Sequence, residues 1–276
     1  MASQSKQRRG TWRLLLRMLI VACVAWAAWR FWPVHVDIAM NGPVAGWPDY
    51  GNDKGGSRYS PLTQITPTNV RYLEKAWEYH TGDVSDGTGE AKTDSTFEAT
   101  PILNDGRLYF PSPFNKVIAL DPETGAEIWK YDPKVNLSGK YGNGLTCRGV
   151  AYWEDASGAA PSPKRIFEAT CDGRLIAIDA VAGAPCAEFG KEGAVDLKAG
   201  VGKERWLGEY QITSPPSVAK DLVIVGSAVS DNQRVDAPSG VVRAYHARTG
   251  ALVWAWDLAP PPDQRKGPGQ PKSEGG

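Results

Sequence analysis

The chain has 276 residues, with 31 Lys and Arg against 31 Asp and Glu, so its formal net charge is zero. This balance argues against a basic nucleic-acid-binding protein and against a highly charged disordered chain. The sequence also contains 30 glycines and 21 prolines, which interrupt helices too often for an all-α protein. Hydrophobic residues make up 42% of the chain, enough for a sizeable core.

The N-terminus combines a basic head with an apolar run. Residues 1–32 contain six Lys and Arg and no acid, and the apolar run reaches from Leu14 to Trp29. Because basic residues stay on the cytoplasmic side and tryptophans favour the membrane interface, we expect a cytoplasmic tail over 1–13. Residues 14–32 are then a membrane anchor or signal segment. The body would lie in the periplasm, at the outer face of the inner membrane.

The apolar run is short for a full span, which needs about 20 residues. Three interpretations remain open. The segment is an uncleaved anchor, or a signal peptide cleaved near the small residues Ala25 and Ala27, or a lipoprotein signal ending at Cys23.

The body, residues 33–258, contains three repeats of one plan. In each repeat two β-rich runs are joined by a small turn, and a further turn ends at Gly125, Gly183 or Gly250. Half-buried β-branched runs predict strands, so each repeat predicts two inner and two outer antiparallel strands. A single such sheet cannot bury both faces, which indicates sheets stacked as a β-propeller. Residues 259–276 form a Pro/Gly-rich polar tail without a strand pattern.

Several motifs resemble the quinoprotein dehydrogenases that use pyrroloquinoline quinone (PQQ). The opening from Trp47 to Tyr59 is similar to theirs, as is the run from Thr146 to Tyr152. The pattern Ala-x-Asp-x-x-Thr-Gly-x-x-x-Trp that ends at Trp129 resembles their tryptophan-docking motif, which ties each blade to the next. The third repeat, ending at Trp254, lacks only the Asp, and the second repeat lacks the Trp.

The resemblance implies an all-β fold, an eight-bladed propeller of which this chain carries about half. We count three repeats and an opening strand near Leu73–Tyr79. The membrane-bound glucose, quinate and shikimate subgroup is the most similar. Its members oxidise a sugar or polyol with PQQ and Ca²⁺ (or Mg²⁺) and pass electrons to membrane ubiquinone. The alternative is a non-catalytic propeller that acts as a scaffold in the cell envelope.

The same resemblance implies site residues. Arg148 corresponds to an arginine near the quinone oxygens, where a guanidinium would stabilise the reduced oxyanion. Further cofactor-binding positions are implied for one acid, one amide and one hydroxyl, and for a short loop that presents its backbone; these are Glu98, Asn115, Thr213, Ser227 and Ala228.

A metal ligand is implied at Asp231, the nearest acid in the cofactor-lining loop, because oxygen ligands suit Ca²⁺. In the glucose-type branch a His often stands where this chain has Gly144, which leaves the substrate open. The family's general base lies on a later blade, beyond Gly276. No catalytic residue is therefore assigned, and the chain alone is expected not to turn over substrate.

Overall fold

The computed structural model describes residues 2–30, 46–230, 233–234, 236–257 and 273–274. The chain divides into two compact units. The first comprises Met1–Pro43 and Leu62–Glu74, and the second Val44–Pro61 and Lys75–Gly276. Each unit is described by itself.

In the first unit a helix, α1, runs from Ala2 to Arg30, and a short 3-10 helix covers Val70–Tyr72. The sequence placed the apolar segment at 14–32, and the helix covers most of it together with the basic residues before it. Large apolar side chains from Leu15 to Trp29 are exposed along α1. None of the helices in the described ranges is long and apolar enough to cross a membrane.

The second unit contains three antiparallel sheets in which sequential strands are neighbours. The first sheet consists of β1 (Ile102–Asn104), β2 (Arg107–Pro111), β3 (Val117–Leu120) and β4 (Glu127–Tyr131). The second consists of β5 (Ala151–Glu154), β6 (Lys164–Ala169), β7 (Arg174–Asp179) and β8 (Ala194–Asp196).

The remaining strands form the third sheet and a small ribbon. The ribbon pairs β9 (Tyr210–Gln211) with β12 (Ala228–Val229). The third sheet has the order β10-β11-β13-β14-β15, from β10 (Ser217–Ala219), β11 (Leu222–Val225), β13 (Val242–His246), β14 (Leu252–Trp256) and β15 (Ser273–Glu274). The predicted four-strand plan of the repeats is confirmed.

Two expectations about strand positions are wrong. Residues 73–79, expected to form an opening strand, carry no strand in the structure. The polar tail, expected to have no strand, contributes β15, which pairs antiparallel with the exposed side of β14. Local residue patterns missed this strand because backbone pairing with an existing sheet edge requires no apolar alternation.

The middle strands form the core because side chains pack against both of their faces. Every residue of β3 is fully buried, and so are the central residues of β7. Strands buried on both faces read as continuous apolar runs rather than as alternating ones. Pairing registers place Ala119, Ala177 and Ala244 at equivalent positions of the three sheets, opposite Tyr109, Phe167 and Ile224.

The junction between the first and second sheets has the predicted docking arrangement. Gly183 has a φ of +71°, and a Cβ added there would lie 2.6 Å from the Trp129 ring. The ring therefore packs directly on the glycine backbone, which a side chain would prevent. The Trp129 indole donates a hydrogen bond to the carbonyl of Ala180, three residues before Gly183, at 3.1 Å.

Trp77 repeats this contact on the first sheet. Its ring covers Gly125, and its indole donates to the carbonyl of Pro122, again three residues before the glycine, at 3.1 Å. The segment 73–79 thus supplies a docking tryptophan without being a strand.

At the third junction an arginine that lies over the Trp153 ring replaces the docking tryptophan. A Cβ added to Gly250 would meet Gly190 and Val195 instead of a ring. Arg165 is fully buried and donates to the carbonyls of Ala247 and Arg248 at 2.8 and 2.7 Å. Ala247 lies three residues before Gly250, as Ala180 does before Gly183. Arg165 also pairs with Glu188 at 2.5 Å. The sequence showed the missing tryptophan of the second repeat but not this replacement.

Candidate functional site

The site is built from the segments that lead into the first strand of each sheet. Glu98, Arg148 and Thr213 stand three or four residues before β1, β5 and β10. Backbone hydrogen bonds join neighbouring segments: the amide of Thr100 donates to the carbonyl of Arg148, and the amide of Arg148 donates to the carbonyl of Thr213, both at 2.9 Å. The repeated fold thus brings residues 98, 148 and 213 to one place.

Arg148 is the centre of this cluster. Its Nη1 donates to Thr213 Oγ1 at 2.6 Å, and its Nη2 lies 2.9 Å from Glu98 Oε2. The side chains of Arg148 and Glu98 are 35% and 38% exposed, whereas Thr213 is buried. A guanidinium has more donors than these two contacts use. The cluster therefore presents a held but accessible cation.

The opening segment around Tyr50 packs beside the residue after Arg148. A Cβ added to Gly149 would lie 3.3 Å from the Tyr50 ring and 3.4 Å from Pro215, closer than side chains ordinarily pack. Arg58 lies over the Tyr50 ring, 5.1 Å from its centroid. Tyr50, Arg58 and Pro215 line a cleft of about 350 Å³. The motif that resembles the family's opening is therefore adjacent to the predicted site.

Ser227 and Ala228 lie on or next to the second strand of the ribbon, and Thr213 follows its first strand. Ala228 pairs with Gln211, whose buried amide accepts from the Asn143 backbone at 3.0 Å and donates to the Gly144 carbonyl at 3.3 Å. Ala228 is half-buried, and the Ser227 hydroxyl oxygen is buried. The position without the family's histidine, Gly144, is therefore tied to this ribbon.

Asn115 belongs to a different, buried network. Its Nδ2 donates to Glu168 Oε1 at 2.6 Å, and its Oδ1 accepts from the Cys171 backbone at 3.1 Å. The residue is fully buried with a φ of +60°, a region that asparagine adopts more readily than most residues. The structure does not bring Asn115 into the Arg148 cluster.

Glu168 is the acid of this network and was not singled out from the sequence. It is 0% exposed, and burial raises its pKa to about 8. The Cys147 thiol lies 3.4 Å from its Oε1, while its Oε2 is buried without a hydrogen-bond partner. Burial also raises the Cys147 pKa well above its ordinary value. The available signal was an acid between two apolar residues, Phe167 and Ala169, of strand β6.

The predicted metal ligand, Asp231, lies outside the described residues. Among the residues that the structure places, no group of three or more His, Cys, Asp or Glu side chains could hold a metal ion.

The chain matches known proteins over most of its length. Residues 47–276 match the PQQ family described as the glucose/ethanol/alcohol dehydrogenase β-propeller domain. The quinate/shikimate dehydrogenase (quinone) of Acinetobacter baylyi is 38% identical over 228 residues, covering 76% of this chain and 27% of that protein. The quinoprotein glucose dehydrogenase of Gluconobacter oxydans is 39% identical over 236 residues, 81% of this chain and 29% of that protein.

A solved structure gives the same result. The quinohemoprotein alcohol dehydrogenase of Comamonas testosteroni is 30% identical with a TM-score of 0.60, over 84% of this chain and 30% of that one. This chain thus spans less than a third of the relatives that it matches. The motifs, the stacked sheets and these matches agree, and the chain belongs to the PQQ-dependent quinoprotein dehydrogenase family of β-propellers.

Proposed function

We propose that this chain forms part of a PQQ-dependent dehydrogenase that oxidises a sugar or polyol, of the glucose, quinate or shikimate type. The observation that carries the proposal is the cluster in which Arg148 contacts both Glu98 and Thr213. A non-catalytic scaffold would need no accessible cation held at the meeting point of three sheets. The named activities of the relatives, towards quinate, shikimate, glucose and glycerol, support the substrate class.

The donor set fits the cofactor. PQQ carries carboxylates and an ortho-quinone, and an arginine with unused donors suits both groups. Glu98 would keep the guanidinium oriented, and the Thr213 hydroxyl would fix its other edge. When bound, PQQ accepts the electron pair that the alcohol carbon loses as it becomes a carbonyl. Arg148 would stabilise the negative charge that develops on the quinone oxygen. Asp231 would be one of the ligands of a bound Ca²⁺ or Mg²⁺.

Cofactor binding tests this proposal directly. PQQ is titrated with Ca²⁺ into the wild-type chain and into Arg148→Ala, and binding is followed by absorbance. Lys130→Ala is the control, because Lys130 pairs with Glu127 on the surface of the first sheet. We expect saturable binding by the wild type and the control and its loss in Arg148→Ala. Equal binding by all three proteins would contradict the role of Arg148.

We further propose that α1 holds the body at the periplasmic face of the inner membrane, where ubiquinone would accept the electrons. The support is the basic head without acids and the exposed apolar side chains between Leu15 and Trp29, which would contact lipid. Protease added to intact spheroplasts is expected to degrade the body. A protected body would overturn this orientation.

A further inference from the structure

A buried ion pair lies at the base of the ribbon formed by β9 and β12. The Glu209 carboxylate is fully buried, and its Oε1 accepts from Arg234 Nε at 2.6 Å. Its Oε2 accepts from Arg234 Nη2 at 3.1 Å and from the Arg205 backbone amide at 2.7 Å. Both carboxylate oxygens are therefore satisfied in a bidentate geometry, which constrains direction as well as distance.

Glu209 also makes a backbone contact with the residue that follows β12. The Glu209 carbonyl accepts from the Ser230 backbone amide at 2.9 Å. Ser230 directly follows β12, and Arg234 lies four positions later. Arg234 is 8% exposed, and it also donates to the Lys203 carbonyl at 2.7 Å. Glu209 thus contacts the chain at Ser230 and again at Arg234.

The Glu209–Arg234 ion pair lies next to predicted cofactor-binding residues in and beside the ribbon. Glu209 immediately precedes β9, and that strand leads to Thr213. Ala228 lies on the opposite strand, paired to Gln211, and Ser227 directly precedes that strand. A shift at the base of the ribbon would therefore change the separation of residues 213 and 227 from Arg148. We propose that Glu209 and Arg234 are positioning residues that fix the cofactor-facing side of this ribbon, an inference that rests on the proposed function.

Stability alone does not explain such a pair. Replacing a buried ion pair with apolar residues of similar volume is often neutral or stabilising, because the charges no longer pay for desolvation. Lysine cannot reproduce the planar, bidentate contact of arginine. Substitutions can therefore separate the effect of the ion pair on the position of the ribbon from its effect on the stability of the protein.

The experiment uses four variants of the full chain. Arg234→Lys keeps the positive charge but removes the bidentate guanidinium contact. Glu209→Gln removes the negative charge. The double variant Glu209→Leu/Arg234→Met replaces the ion pair with apolar side chains. These fill the space but do not reproduce the directional hydrogen bonds. Lys130→Gln is the control, since its ammonium pairs with Glu127 3.2 Å away and both side chains are more than a third exposed. Hydrogen exchange of residues 226–230 without cofactor and PQQ affinity are measured for each.

We expect faster exchange at 226–230 and PQQ binding weakened about 10–100-fold in Arg234→Lys and in the double variant. The double variant should unfold near the wild-type temperature, which separates positioning from folding, and Lys130→Gln should match the wild type in both measurements. Wild-type exchange and affinity in the double variant would overturn the inference. If the wild type binds no PQQ, the proposed function fails, and the exchange rates still decide whether the pair fixes the ribbon.

Discussion

We expect Arg148, the proposed cofactor-binding residue, to contribute little to folding. Its ion pair with Glu98 is accessible to water on both sides, and exposed ion pairs contribute about 0–1 kcal/mol. We expect Arg148→Ala to change the free energy of unfolding by less than about 1 kcal/mol, while PQQ binding is lost. Urea unfolding of the two proteins measures this. A larger loss of stability would make Arg148 a structural residue.

In contrast to Arg148, we expect Glu168 to affect the stability of the protein, because its protonation is coupled to folding. Its pKa is about 8 in the folded protein and near 4.5 for a free glutamate. Between these values the folded state holds a proton that the unfolded state has released. Stability from this residue therefore falls as pH rises through that range, by about 1.4 kcal/mol per pH unit, and the loss levels off above about pH 8.

Glu168→Gln tests this pH dependence, because the amide is neutral at every pH. The variant should gain stability relative to the wild type as pH rises from about 4.5 to about 8. Parallel stability curves for wild type and Glu168→Gln would show that the buried carboxyl does not hold its proton.

At the scale of the elements, the sheets are joined by ring-on-glycine contacts with one hydrogen bond each. Trp129→Phe keeps a ring over Gly183 but loses the bond to the Ala180 carbonyl, so we expect a cost of about 1 kcal/mol. Trp129→Ala also removes the ring and should cost about 3 kcal/mol. Chemical unfolding of both variants checks this order. Equal costs would mean that the ring contact contributes nothing.

The junction between the second and third sheets depends on charge instead. Arg165 is the buried donor to two carbonyls, so Arg165→Ala leaves both acceptors unpaired and exposes an apolar gap. We expect a loss of about 3–5 kcal/mol, with partial recovery in Arg165→Lys. Unfolding of these variants at low and high salt is the measurement. Full stability of Arg165→Ala would show that the third sheet packs without this donor.

Repeat plan and turn chemistry made the three sheets predictable, because each turn glycine and each β-rich run is a local signal. The meeting of Glu98, Arg148 and Thr213 was not visible locally, and only the family resemblance pointed to those residues. Arg165, Glu168 and the Glu209–Arg234 pair were missed. Their long-range partners lie from 21 positions away, for Glu168 and Cys147, to 83 positions away, for Arg165 and Arg248. A charged residue in a strand gives no sign of which carbonyl or acid it will meet.

At the scale of the whole molecule, the second unit exposes an apolar surface on strand β14 of the third sheet, which pairs with β15 at residues 255 and 256. Leu252, Val253 and Trp256 on β14 are 54%, 45% and 46% exposed. Contiguous exposed apolar residues on a strand favour association between molecules. We therefore expect the chain to self-associate as its concentration rises, as seen by sedimentation velocity.

The variant Leu252→Lys should move the midpoint of this self-association to roughly tenfold higher protein concentration, equivalent to about 1.4 kcal/mol. Val181→Lys is the control, because Val181 is 53% exposed but lies in a turn, and the same charge there should leave the midpoint unchanged. A monomer at all concentrations, or equal shifts in both variants, would show that this strand is not the surface through which the molecules associate.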